Sequence, residues 1–147
     1  MRKSKKKLNY TVSAVNMAPF PGVILYVTGD YYKAADAIDK VVGPRNSSDA
    51  KASRLVIKHL DADTIHNGKN FDGVTISNDE LDNLTIVYLK DPEPKASTVI
   101  HELLHAVMIV ADKAGVDDKN HETEAYLMSR IIDDIFGEKA KITGGVR

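Results

Sequence analysis

Cysteine and tryptophan are both missing from the 147 residues. Without cysteine there is no disulfide framework, no thiolate metal site and no thiol nucleophile. Any metal must be held by His, Asp or Glu. Structural zinc sites usually lean on cysteines, whereas catalytic zinc is commonly held by two His and a carboxylate with one position open. The absence favours a catalytic metal over a structural one.

Long apolar runs are missing too. The stretch at 22 to 27 falls far short of the roughly 20 residues that span a bilayer. The start of the chain is basic (Arg2, Lys3, Lys5, Lys6, Lys7), but Leu8-Asn9-Tyr10-Thr11-Val12 follows it instead of the apolar stretch of a signal peptide. A cytoplasmic protein with no membrane partner is the expectation. Those five basic residues mean that a net charge of −1 leaves −6 on the remainder. The bland reading is a solvated, flexible arm over residues 1–12. A nucleic-acid tether is the sharper reading, but no aromatic interleaving or basic helix supports it.

What is present is an ordinary globular composition, 43% hydrophobic and 28% charged, in a chain of one-domain length. One domain is expected over 13–137, with a frayed tail at 138–147 and room for one active site. Val23-Ile24-Leu25-Tyr26-Val27-Thr28 reads as a strand after the turn at Pro19-Phe20-Pro21-Gly22. Asp30 is placed to cap a helix reaching Val42, stopped by Gly43-Pro44. The polar segment at 45 to 53 reads as a loop, with a strand expected around Leu55-Val56-Ile57 and turn-like chain at 61 to 70. Two further strands are predicted at 71 to 77 and 84 to 89, then a helix from Ser97 to Ala114 closed by Gly115. A last helix is predicted from Asn120 to Phe136.

The first long helix carries His101-Glu102-Leu103-Leu104-His105. Residues four apart lie above one another on a helix, so both imidazoles can reach one metal ion. Glu102, rotated by about 100°, can touch a metal-activated water without being a ligand. A chance H-E-x-x-H arises in roughly one such chain in a few hundred, and this one falls within a predicted helix. The bland alternative is two exposed His on an amphipathic helix. Val99, Ile100, Leu103, Leu104, Ala106, Val107, Met108, Ile109, Val110 and Ala111 make most of the helix circumference apolar, which predicts burial. Unpaired His and Glu would be costly there.

Two His leave zinc one protein ligand short, and the next helix opens with His121, Glu122, Thr123 and Glu124. Glu122 and Glu124 stand about 200° apart and cannot both face the metal. Leu127, Met128, Ile131, Ile132 and Ile135 centre the apolar arc near Glu124, with Glu122 at its edge. Helix geometry leaves Glu122, Glu124 and His121 open. Asp112 shares the motif's face but lies about 10 Å beyond His105, too far for a fourth ligand. His59 and His66, in polar turn-rich sequence, read as solvated.

A strand ending in Asp91-Pro92, then His101-Glu102-x-x-His105-Ala106, then Asn120-x-Glu122-x-x-Ala125-Tyr126-Leu127, resembles the small zinc-peptidase-like proteins of bacteriophage genomes. These belong to the zincin superfamily, in its branch with a glutamate third ligand. The likeness covers residues 84 to 132. It implies Glu122 as that ligand and an α+β, zincin-like fold. Its small twisted mixed sheet would pack on the motif helix and a C-terminal helix. Leu84 to Leu89 would be an edge strand beside the cleft, where an extended peptide or protein substrate could add as a strand.

The expected activity is a zinc-dependent metallopeptidase. Zinc on His101, His105 and Glu122 would polarise the scissile carbonyl, with Glu102 as general base. Tyr126, on the face of Glu122, is a candidate oxyanion donor or else a packing tyrosine. The resemblance also leads one to expect an acidic residue where Tyr126 stands. Two other classes compete: a zincin-shaped binding module that uses zinc only structurally, and a nucleic-acid-associated protein acting through residues 2 to 7.

Overall fold

The two most apolar short runs of the chain lie side by side at the centre of its sheet. The computed structural model describes residues 9–42, 52–67, 71–81, 83–117, 119 and 121–137. In chain order the elements are β1 (Tyr10–Asn16), β2 (Val23–Gly29), α1 (Ala35–Val42), α2 (Ala52–Asn67), β3 (Gly73–Ser77), β4 (Leu84–Leu89), α3 (Ala96–Lys113) and α4 (His121–Phe136). A single 3-10 turn at Asp79–Leu81 links β3 to β4.

The sheet order is β1-β2-β4-β3, with β2 parallel to β4 and both outer pairs antiparallel. The fold is thus α+β on a four-stranded mixed sheet. All six residues of β4 are buried, as are six of the seven in β2. Strands covered on both faces need apolar side chains on both, which is how these two read.

Alternation along β2 divides the core. Ile24 and Tyr26 join Val99, Leu103, Val107, Leu127 and Ile131 under α3 and α4. Leu25 and Val27 join Ile38, Val56 and Leu60 under α1 and α2. Arg130 of α4 fastens the first of these layers by donating to the carbonyls of Asn16 (2.8 Å) and Ala18 (2.5 Å) after β1.

Several expectations are corrected. Leu84 to Leu89 is not the edge strand: β4 lies between β2 and β3, and β3 is the edge beside α3. The run at 55 to 57 is helical, because Ala52, Val56 and Leu60 repeat every four residues and bury against α1 and the sheet. That helix continues to Asn67 through the segment expected to turn. Ser53 is held near its start by Asp39, whose Oδ1 accepts from the Ser53 amide at 2.9 Å. Residues 10 to 12, expected in the arm, begin β1 and pair with Val27 to Gly29.

The helix expected from Asp30 starts one turn later. The Asp30 carboxylate accepts the amides of Tyr32 and Lys33 and organises the turn that leads into α1. At the other end of the predicted motif helix, Gly115 (φ +72°) donates to Asp112 and Val116 donates to Ala111, each at 3.0 Å. This pair of bonds closes α3 where the sequence places its stop. The basic residues at 2 to 7, the segment at 43 to 51, Asn120 and the tail at 138 to 147 lie outside the described residues. Among those described, no helix is long and apolar enough to cross a membrane.

Candidate metal centre

α3 rests on the sheet through Val99, Leu103, Ala106, Val107 and Val110. This stripe fixes the rotation of the helix and turns His101 and His105 outward. The burial expected from apolar residues over most of the circumference is corrected here: Ile100, Leu104 and Met108 are exposed. The His101 side chain is 67% exposed. A one-sided apolar stripe against the sheet is enough to hold the helix.

The two imidazoles converge. Their Nε2 atoms stand 3.2 Å apart, with the rings nearly perpendicular. Two nitrogens bound to one tetrahedral zinc at 2.0–2.1 Å would lie about 3.3–3.4 Å apart. The observed separation is within about 0.2 Å of that spacing. A hydrogen bond between neutral imidazoles in suitable tautomers also fits this separation.

Glu102, unlike the exposed His101 and His105, is only 7% exposed. Its Oε2 accepts from the Thr75 hydroxyl at 2.7 Å, and the same hydroxyl lies 2.9 Å from the Glu102 carbonyl. Its Oε1 stands 3.9 Å from His101 Nε2. The carboxylate is thus anchored on one oxygen while the other lies on the side of His101. Gly73, two residues before Thr75, lies against the same side chain: a Cβ there would be 3.0 Å from Glu102 Cγ.

Two hollows flank the pair. One of about 380 Å³ is walled by Gly73, Thr98, His101 and Glu102. The other, about 340 Å³, is walled by His105, Met108, Asp112, Val116 and Glu124. The second brings an acidic residue of α4 beside the motif. Glu124 sits in the middle of the α4 face that buries Leu127 and Ile131, which turns it inward.

Glu122 and Tyr126 project from the opposite face of α4 and are exposed. Neither lines the two hollows. His121 is exposed as well, with Nδ1 3.9 Å from Glu124 Oε2. Among the described residues no third His, Asp or Glu forms a ligand group with His101 and His105. The structure brings Glu124 to the cleft and leaves Glu122, His121 and Tyr126 at the surface.

The other histidines separate. His59, expected to be solvated, is largely buried in α2, with Nε2 3.3 Å from Glu80 Oε2. Burial follows from its place in α2, where the sequence pattern predicts a strand and a turn-rich segment instead of a helix. The His66 side chain lies outside the described residues. Lys58 bonds to Glu80 and holds that carboxyl below its usual range, with a smaller contribution from His59.

Thr75 and Gly73 were not singled out by sequence. Their signal is the alternation Gly73-Val74-Thr75-Ile76-Ser77, which puts small and polar residues on one face and Val74 and Ile76 on the other. Comparison with protein-family models, curated proteins and solved structures gave no match.

Proposed function

We propose that the chain is a zinc-dependent hydrolase of peptide bonds. The observation that carries this reading is the 3.2 Å convergence of the His101 and His105 Nε2 atoms beside an anchored, largely buried Glu102. A donor set of imidazole nitrogens and carboxylate oxygens suits zinc with an open position. His101 and His105 would hold it. Glu124, which lines the same hollow as His105 from the neighbouring helix, is the carboxylate this reading assigns to complete the set. Glu122, which the family resemblance favours, is the alternative.

Zinc held there would supply a Lewis acid that polarises a peptide carbonyl and acidifies water. Glu102 takes the proton from the attacking water through Oε1 and delivers it to the leaving amine. Thr75 occupies Oε2 and so leaves Oε1 as the basic atom toward the cleft. Tyr126 is set apart from the hollows, so the oxyanion role proposed for it would require α4 to present a different face.

A second reading, a zincin-shaped binding module, is favoured by the exposed stripe of Ile100, Leu104 and Met108 beside the His pair. Zinc content and peptide hydrolysis of the native chain and of Glu102→Gln separate the two. The hydrolase reading expects zinc in both and a loss of about 10²- to 10⁴-fold in turnover for the variant. Equal hydrolysis by both, or zinc in both with hydrolysis in neither, would overturn it.

A further inference from the structure

The edge strand does more than border the cleft: we propose that Thr75 is a positioning residue that orients Glu102 as the base, within the hydrolase reading above. A serine or threonine hydroxyl carries a single proton, so its contacts with Glu102 Oε2 (2.7 Å) and with the Glu102 carbonyl (2.9 Å) compete for one donor. A carboxylate is the stronger acceptor because it is charged. The proton therefore goes to Oε2, and the carbonyl contact keeps the hydroxyl close to the helix.

Thr75 is itself fixed by the sheet. It pairs with Val87 of the fully buried β4, so its backbone cannot drift without breaking the ladder. Side chains two apart on a strand share a face, and the preceding neighbour on that face is Gly73. There a Cβ would lie 2.6 Å from Leu89 Cδ2 and 3.0 Å from Glu102 Cγ. β3 thus offers Glu102 an open backbone beside its stem and a hydroxyl at its tip. Both supports come from one strand, and that strand is the sheet edge nearest the His pair.

A free glutamate has three side-chain torsions, and its carboxylate can turn away from a reacting water. Holding Oε2 to a strand removes that freedom and leaves Oε1 directed toward His101. The Thr75 hydroxyl is hydrogen-bonded to Glu102 and to neither imidazole, so it acts through Glu102 and not on the metal.

The test uses the full chain with Thr75→Val, which keeps the β-branched shape and removes the hydroxyl, and Thr75→Ser, which keeps the hydroxyl. Thr75→Val is expected to bind zinc as the native chain does and to lose about 10- to 100-fold in kcat with KM little changed. Thr75→Ser should recover most of that loss. A second readout is independent of activity: a double-mutant cycle of Thr75→Val with Glu102→Ala in urea unfolding of the zinc-free protein. It should show a coupling of roughly fivefold or more in the unfolding equilibrium constant.

Additive unfolding effects would overturn the contact itself. Coupling without a change in kcat, in a chain that hydrolyses peptides, would overturn the positioning role, as would failure of serine to restore turnover. Hydrolysis absent from the native chain removes the reaction that Glu102 is oriented for. The role then falls with the hydrolase reading, while the cycle still decides whether the Thr75–Glu102 bond holds.

Discussion

His105 and Glu124 belong to different helices yet wall the same hollow, while Glu122, two residues before Glu124, faces solvent. The arc of apolar residues on α4 decides this. Leu127 and Ile131 bury against the sheet layer and carry Glu124 inward with them. Which acid completes a metal site on this helix is therefore a question about how α4 is rotated.

Zinc affinity should report that rotation. Glu124→Gln is expected to weaken zinc binding roughly 10- to 100-fold, and His101→Ala or His105→Ala by at least as much. Glu122→Gln should leave it within about threefold. Competition with a chromogenic chelator at fixed pH measures all four. Loss in Glu122→Gln with none in Glu124→Gln would return the site to Glu122.

Gly73→Ala tests how tightly the edge strand approaches α3. The added methyl would press on Leu89, which is fully buried, and on the stem of Glu102. Overpacking of this kind costs about 1–3 kcal/mol. Urea unfolding should show that loss, and an unchanged midpoint would mean that β3 stands farther from the helix.

Arg130→Ala should lower stability by about 1–2 kcal/mol, because the carbonyls of Asn16 and Ala18 lose a forked, charged donor. Arg130→Lys should not restore it, since an ammonium cannot span two carbonyls in the same geometry. Full recovery by lysine would show that charge alone matters there.

Alkaline pH should destabilise the fold in a defined window. Burial pushes the Tyr26 phenol up to about 12, and burial likewise raises Tyr88 to about 12. A native pKa raised above the unfolded value near 10 favours the folded state fully below that value. That contribution is lost as pH rises from about 10 through about 12. Unfolding midpoints measured across this range should fall, and Tyr26→Phe should flatten the decline.

Much of this arrangement is legible in the sequence where one signal dominates. The 3.6-residue pattern and Gly115 mark the helix around His101 and His105, and the apolar run at 23 to 28 marks an inner strand. The sequence is ambiguous where two signals conflict. Leu55-Val56-Ile57 looks like a strand by β-branching, but the four-residue spacing of Ala52, Val56 and Leu60 prevails once α1 offers a surface. Leu84 to Leu89 carries apolar or Thr side chains on both faces, the mark of an inner strand, whereas the family resemblance implies an edge. Thr75 escaped notice because a lone hydroxyl acquires meaning only when Glu102, 27 positions later, is brought to it.

The sheet separates two kinds of consequence. His101, Glu102, His105, Thr75 and Glu124 all belong to α3, α4 and the edge strand, whereas Ile38, Val56 and Leu60 pack on the far side. Substitutions in that far layer are expected to change how much folded protein a cell retains, through its exposure to chaperones and proteases. On the proposed function, each surviving molecule should keep its zinc affinity and its turnover, so that abundance and specific activity would be set on opposite faces of one four-stranded sheet.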